Sequence, residues 1–302
     1  MRMINELRTK KRLWKMNSPS YGNRDNLSIS QAKNYLIAKI GSEQPLSVVR
    51  MGFGELEFMY ECMFREIHHV GNKEYKRKSM ADLMREFPNG VETYNKLVRS
   101  AFENADLMAC WYQTKWEERL IRQFCADETK CTTQHILEPI YDEINWISAL
   151  EGKRVLVISP FSEQIVAQIP NLKMIYPNGL WPEVTFLTCT SIWYDNMVYK
   201  DPRFGNWFEV LEYMKNEIAK TDFDVALLAC GTFGTPLVDY IKQIGKQGIY
   251  VGGILQMYFG LRGNRWDNDG DKYSVLYNEY WTRLGEINKP AGASALEGDC
   301  YW

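Results

Sequence analysis

The C-terminal half of the chain alternates short apolar runs with amphipathic stretches. Residues 154–158 (RVLVI) are one basic residue followed by an unbroken apolar run, the pattern of a strand buried on both faces. The run ends in Ser159, Pro160, Phe161 and Ser162, and residues 163–169 continue as a helix. Residues 184–187 are a second β-rich run. Asn206 is placed to cap a helix that carries Trp207, Val210, Leu211, Met214 and Ile218 on one face, with Glu209 three residues after the cap, as in a capping box. Residues 224–229 (DVALLA) predict another buried strand, and 231–234 a tight loop. Leu237, Val238, Ile241 and Ile244 then recur at helical spacing, Gly245 and Gly248 fall near the helix end, and Ile249, Tyr250 and Val251 form the next strand. A strand–helix–strand unit of this kind requires a right-handed crossover and parallel pairing.

The N-terminal half follows the same style less cleanly. It predicts a helix over 29–40, a strand over 46–49, a turn from Arg50 to Glu55, a helix over 56–64, a strand over 106–111 and a helix over 115–124. Pro139 fits the first turn of a helix running to about Ala149. The repeated alternation predicts an α/β fold: a Rossmann-like, doubly wound, mostly parallel sheet with helices on both faces. No linker interrupts residues 29–302, which are expected to form a single domain. Residues 1–28 stand apart as a basic helical segment, with Arg2, Arg8, Lys10, Lys11, Arg12 and Lys15 interleaved by Leu7, Leu13 and Trp14. Such a helix can lie on an anionic membrane surface or pack, solvated, on the domain. Residues 264–272, rich in Asn, Asp and Gly, are expected to form an exposed loop, and the stretch after Pro290 reads as irregular.

Composition narrows the function classes. The 302 residues are 45% hydrophobic and 25% charged, enough for a core of ordinary size. A net charge of −2 supplies no field to draw nucleic acid, which is not expected as a partner. Seven cysteines without a C-x-x-C pair are neither a disulfide framework nor a zinc ribbon, and fit a reducing cytoplasm. Only three histidines, His68, His69 and His135, argue against a multi-histidine metal site, and the adjacent pair His68 and His69 reads as structural. No apolar run approaches the ~20 residues of a membrane span, and the N-terminus has no signal-peptide core. A cytoplasmic location is expected, with peripheral membrane contact open to the basic N-terminus. The aromatic content of 14% reads first as core, and second as flat faces for stacking on sugar rings.

Ligands of open α/β sheets bind beyond the C-terminal ends of the strands. Four predicted strand ends carry small or hydroxyl residues: Gly52 and Gly54; Ser159 and Ser162 around Phe161; Gly231, Thr232 and Gly234; and Gly252 and Gly253. Glycine lets backbone amides approach a phosphate, and a following helix N-terminus adds partial positive charge. Turn chemistry alone also places glycines there, but four such ends in one sheet favour a phosphate-bearing ligand. A dinucleotide oxidoreductase is the nearest alternative. Residues 229–234 read A-C-G-T-F-G, without the first glycine of G-x-G-x-x-G, and the strand ending at Val251 has no acid for a ribose hydroxyl. NAD is therefore not expected.

Arg50 and Glu55 are the catalytic candidates. The Arg50 fork at a strand end can pair with a phosphate or a carboxylate. Glu55, opening the next helix, can hold a metal–diphosphate or take a proton from an acceptor hydroxyl. Read structurally, Glu55 satisfies the helix dipole with Arg50 as its salt-bridge partner. Glu57 and Glu61 on the same helix read as solvated.

At these residues the sequence resembles the GT-D-type glycosyltransferases of bacterial surface-polysaccharide and glycoprotein pathways. Residues 46–55 (LSVVRMGFGE) are similar to that family's Arg-x-Gly-Asp-Gly-Glu turn, and 152–161 (GKRVLVISPF) to its second strand and loop. Residues 229–242 and 252–266 resemble its closing βαβ region, and 277–281 (YNEYW) with 297–302 (EGDCYW) the tail of one branch. The resemblance implies a GT-D-like single domain that moves a sugar from a nucleoside-diphosphate donor, UDP-sugar favoured, to a hydroxyl of a surface glycan, glycolipid or glycoprotein. It implies Mn²⁺ or Mg²⁺ as cofactor, with Glu55 as a metal ligand, but Phe53 stands where relatives carry the aspartate of an Asp-x-Glu pair. A phosphate-binding arginine can replace metal charge at the leaving group, and Arg50, Arg262 and Arg265 are candidates in that order. The donor would rest on the Gly52, Gly54, Ser159, Phe161, Ser162, Gly231, Thr232, Gly234 and Gly253 loops, with Gln256 on the base or sugar. An inactive nucleotide-sugar-binding module, a polysaccharide-assembly partner without a small ligand and the oxidoreductase remain the other readings.

Overall fold

The computed structural model describes residues 26–64, 80–111, 115–139, 144–196, 198–286, 289–295 and 298–302. Most of the basic N-terminal segment, together with His68 and His69, lies outside them.

The centre is a seven-stranded sheet: β1 (Leu46–Val49), β2 (Leu107–Cys110), β3 (Lys130–Thr133), β4 (Arg154–Ser159), β5 (Thr185–Thr190), β6 (Val225–Leu228) and β7 (Gln247–Tyr250). Its order is β3-β2-β1-β7-β6-β4-β5. Every pairing in it is parallel, with Val48 of β1 opposite Leu107 of β2 on one side and Ile249 of β7 on the other. The mostly parallel sheet expected from sequence is thus wholly parallel.

Successive strand side chains point to opposite faces, and here both faces are apolar. Val49, Met108, Leu156 and Leu228 belong to one hydrophobic cluster. Their neighbours Val48, Leu107, Val155 and Leu227 belong to the other. This is why strands such as RVLVI carry no polar alternation. Helices accompany the sheet among the described residues: α1 (Ile29–Gly41), α2 (Phe53–Phe64), α3 (Gly90–Glu103), α4 (Lys115–Phe124), α5 (Ser162–Gln168), α6 (Trp207–Lys220) and α7 (Gly234–Gln243), with residues 80–85 helical as well. The first cluster is closed by Leu56 and Phe58 of α2, Tyr94 and Val98 of α3, Met214 of α6 and Leu237 of α7. The second is closed by Leu36 and Ile40 of α1 and Ile165 of α5. Helices therefore cover both faces.

Local chemistry explains the helix starts. Ser28 and Gln31 form a reciprocal capping box at α1. At α6 the Asn206 side chain accepts the Phe208 and Glu209 amides, and Glu209 reaches one residue further back than expected, accepting the Gly205 amide at 2.8 Å. α2 begins at Phe53, three residues before the predicted start, so Glu55 lies in its first turn.

Several expectations are corrected. No helix runs from Pro139: among the described residues only the 3-10 turn Trp146–Leu150 forms there, started by the Asn145 side chain, which accepts the Ile147 amide. Residues 264–272 are not a plain exposed loop but hold two one-turn helices, Asn264–Asp267 and Asp271–Ser274, around Trp266, which is 3% exposed. The sequence reading leaves α3 unassigned although Tyr94, Val98, Ala101 and Phe102 recur at helical spacing. It also passes over β3, whose Lys-Cys-Thr-Thr carries little β pattern yet buries its last three residues. His135 hydrogen-bonds Glu138 through Nδ1 at 2.6 Å, a structural pairing that Lys272 extends at 2.9 Å. Among the described residues no helix is long and apolar enough to cross a membrane.

The chain leaves β4 toward β5 and leaves β6 toward β7, in opposite directions along the sheet. Neighbouring strands whose connections diverge open a crevice at their C-terminal ends.

Candidate functional site

A cleft of about 730 Å³ occupies that crevice, and all four strand ends anticipated from the sequence contribute to its wall. Gly52 and Gly54 come from the end of β1, Ser159 and Phe161 from β4, Gly231 and Thr232 from β6, and Gly253 from β7.

Glu55 faces the cleft and is 6% exposed. One carboxylate oxygen accepts the Gly52 amide at 2.6 Å. The other is buried and has no hydrogen-bond partner among the described residues. Gly52 has to be glycine here, since a Cβ would collide with that carboxylate. Burial pushes the Glu55 carboxyl up to about 7, against the pull of the Gly52 amide and the Arg50 guanidinium. A carboxyl with a free oxygen and a midpoint near neutral pH can both accept and return a proton.

Arg50 is held on four sides. Its Nε donates to the Gln134 side chain at 3.2 Å. The guanidinium lies 5.6 Å from the Trp111 ring centre and 5.8 Å from that of Tyr250. Gly252, at φ +79°, packs directly beneath it, and a Cβ there would overlap Nη1. Arg50 and Glu55 form no direct ion pair: each has its own partner, so the salt-bridge reading of this turn does not hold. The backbone beneath is fixed from α7, whose Thr235 hydroxyl donates to the Arg50 carbonyl at 3.1 Å.

The β6 loop is stiffened by aromatics. Trp207 Nε1 donates to the Thr232 hydroxyl at 2.9 Å and its ring stacks on Phe233 at 4.6 Å, leaving the Thr232 hydroxyl hydrogen to donate elsewhere. Tyr250 donates to the Gly231 carbonyl at 2.8 Å.

Other sequence candidates have different duties. Ser162 does not face the cleft; its hydroxyl pairs with that of Thr190. Gly234 is a packing residue, where a Cβ would enter the Tyr250 ring. Ser159 borders the cleft, with its hydroxyl accepting the Phe161 amide at 3.2 Å. Gln256 spends its amide hydrogens on the carbonyls of Leu261, Arg262 and Tyr301, and only its buried Oε1 lacks a partner, so it braces the wall and cannot donate to a ligand. Arg262 is turned away, paired with Asp267 at 3.1 Å and lying 4.5 Å from the Tyr277 ring centre. Arg265, ranked below it from sequence, does face the cleft. Glu57, read as solvated, is 3% exposed and faces the cleft as well.

Further residues come to the site without having been singled out. Trp111, at the end of β2, donates its backbone amide to the Glu117 carboxylate at 2.9 Å and Nε1 to the Met51 carbonyl at 2.7 Å. Trp193 and Asp195 follow β5, and Tyr301 comes from near residue 300. The strand-end rule applied to β2 and β5 would have found the first three; Tyr301 falls in the stretch 297–302, which was marked by resemblance and not as part of the site.

The described residues do not assemble a divalent-ion site of their own. Phe53 packs between Trp111 and Trp116 at 6.1 and 6.2 Å where the resembling family has an acid. Among the described residues no group of three metal-ligating side chains converges.

No protein-family model matches the chain, and no curated protein does. Among solved structures it is similar to a domain of unknown function, DUF1792, described as having a distinct glycosyltransferase fold: 16% identity, 88% of this chain and 97% of that one covered, TM-score 0.45. It is also similar to a protein described as a new glycosyltransferase (DUF1792) from Streptococcus sanguinis, at 14% identity, covering 87% of this chain and 95% of that one, TM-score 0.41.

Proposed function

We propose that this chain is a glycosyltransferase that moves a sugar from a nucleoside-diphosphate sugar, a UDP-sugar by preference, to a hydroxyl of a glycan, glycolipid or glycoprotein acceptor. The observation that carries the reading is the shared cleft of Arg50 and Glu55: a fixed cation and a carboxyl poised near neutral pH, on the one turn that leaves β1 for α2. The buried free oxygen of Glu55 takes the proton of the acceptor hydroxyl as its oxygen bonds to the anomeric carbon. The bond from that carbon to the diphosphate oxygen breaks with its electron pair, and the nucleoside diphosphate leaves with added negative charge. Arg50 lies where it can meet that charge with its guanidinium N–H groups. Backbone amides of the glycine-bearing loops supply further donors, and Trp193 and Phe161 supply flat faces for a ring. Arg50 and the loop amides take the part that Mn²⁺ or Mg²⁺ would otherwise play, since the side chains described around the cleft do not converge on an ion.

A thermal-shift panel of UDP-, GDP-, CMP- and dTDP-sugars, each with Mn²⁺ and with a chelator, tests the proposal. Stabilisation by one nucleoside-diphosphate class, followed by transfer or slow hydrolysis of that donor, is the expected result. Binding without turnover would leave an inactive nucleotide-sugar module, and a flat panel a polysaccharide-assembly partner without a small ligand; a shift in a further arm with NAD(P) would indicate an oxidoreductase.

A further inference from the structure

The face of α2 that carries Glu55 also carries Phe58 and Cys62, at the i, i+3 and i+7 spacing of a single helical stripe. That stripe packs on α3. The Phe58 ring lies 5.9 Å from the ring of Tyr94, and the Trp207 ring meets Tyr94 edge-on at 5.4 Å. Tyr94 is wholly buried between them. The stripe begins at the cleft with Glu55. It ends at a second pocket, of about 540 Å³, where Cys62 and Asn95 form part of the wall with Arg85 and Glu92.

Three oxygens along this interface are buried and have no hydrogen-bond partner among the described residues: Oε1 of Glu55, the hydroxyl of Tyr94 and Oδ1 of Asn95. Burial pushes the Tyr94 hydroxyl well above its ordinary range, and the Glu55 carboxylate and then the Cys62 thiol add to the push. Glu55 and Cys62 are two turns apart, about 10 Å along the helix axis. A hydroxyl that feels both lies beside the stretch of α2 between them. Yet Glu55 and Tyr94 do not bond each other directly.

We propose that the interface of α2 and α3 is a water-binding site, in which ordered water reached from the Asn95 pocket bridges the Tyr94 hydroxyl to Oε1 of Glu55 and makes Tyr94 a positioning residue for that carboxylate. Buried polar atoms without a protein partner are the ones that internal water satisfies. The chemistry matches. Carboxylate and amide oxygens only accept, a phenol donates or accepts, and water supplies two hydrogens and two acceptor positions. A carboxylate oxygen accepts at two positions, so a bond from water leaves one on Oε1 for an incoming hydroxyl. With the Gly52 amide on one oxygen and water on the other, the plane of the carboxylate is fixed. The catalytic consequence rests on the transferase reading above; the water site does not.

A crystal structure of the intact chain that resolves ordered water tests the site directly. A water within about 3 Å of both the Tyr94 hydroxyl and Glu55 Oε1 is expected, and a dry gap between them would overturn the proposal. Tyr94→Phe supplies a second measurement, because it keeps the ring and its contacts. A buried hydroxyl without a partner is a burden, whereas one bonded to water contributes to stability, so the melting temperature should fall by roughly 2 °C. An unchanged or higher value overturns the site. In transfer assays the same variant should lose roughly 10-fold in kcat, with donor KM within about twofold. That loss should vanish in the Glu55→Gln background, since Tyr94 acts only through the carboxylate. Full kcat in Tyr94→Phe, or an equal loss in both backgrounds, would overturn the positioning role while the transferase reading stood. If the intact chain transfers from no donor, the transferase reading falls, and the crystal and melting measurements still decide the water site.

Discussion

Glu55 accepts the Gly52 amide at 2.6 Å with one carboxylate oxygen and holds the other buried, without a partner among the described residues. The first oxygen locks the side chain into the turn; the second is left for chemistry. Burial raises the carboxyl to about 7, so it is protonated in the folded protein over a range where the unfolded chain would have ionised it.

Glu55→Gln separates these roles. Its amide oxygen can still accept from Gly52, so the fold should be kept, while transfer should fall by roughly 100-fold or more. Wild-type transfer should rise with pH through about 7 as Glu55 ionises, and the variant should show no such rise. Stability gives an independent check. The folded state binds the extra proton between the ordinary value of 4.5 and about 7, so wild-type stability should decline as pH rises across that window and level off above it. The full decline is on the order of 3 kcal/mol. Denaturant unfolding of Glu55→Gln should lack it; an equal decline in the variant would mean another group is responsible.

Gly252→Ala should damage both fold and site. Its backbone, at φ +79° and ψ −167°, lies in a region nearly closed to other residues, and an added Cβ would enter the Arg50 guanidinium. The backbone strain alone is worth roughly 1–3 kcal/mol. Urea midpoints should drop accordingly, and nucleotide affinity should fall further than stability because Arg50 is displaced. Unchanged affinity would remove Arg50 from the ligand.

Phe53→Asp tests the metal question. Wild-type donor binding is expected to be equal in Mn²⁺ and in chelator. The variant adds a carboxylate two residues before Glu55, and its donor-induced thermal shift should become larger with Mn²⁺. Loss of the Phe53 contacts with Trp111 and Trp116 should lower its melting temperature by a few degrees, a cost of about 1–2 kcal/mol. A wild type that binds donor only with Mn²⁺ would contradict the reading of Phe53.

Trp207→Phe removes one donor and keeps a ring over Phe233. Thr232 loses the 2.9 Å bond from Nε1, worth about 1 kcal/mol, and the β6 loop loosens at the cleft. Donor KM should rise a few-fold with kcat little changed. A kcat loss without a KM change would place Thr232 in the chemistry instead.

Much of the site was legible because its parts are local. The apolar runs at β1, β4, β6 and β7 mark buried parallel strands, and Gly52, Ser159, Gly231 and Gly253 mark where those strands end. The turn from Arg50 to Glu55 could be singled out from residue type and position alone. Even the alternative of a salt bridge between them was a local hypothesis, undone only because Gln134 and Gly52, from the β3 end and from the turn itself, take the two groups separately.

What the sequence determined by itself was therefore the alternation of strand and helix, the parallel sheet and the four glycine- or hydroxyl-bearing strand ends, since periodicity and turn chemistry act over a few residues. Tertiary structure decided which side chains face one another across those ends. Arg262 and Arg265 are three residues apart and equal in charge, yet the first pairs with Asp267 away from the cleft while the second lines it, 4.9 Å from the Tyr301 ring centre. Glu57 looks solvated on paper and is buried in the fold, and Gln256 looks like a ligand donor and spends its hydrogens on three carbonyls. These choices depend on chain segments that meet only after the sheet has formed, so no local pattern carries them.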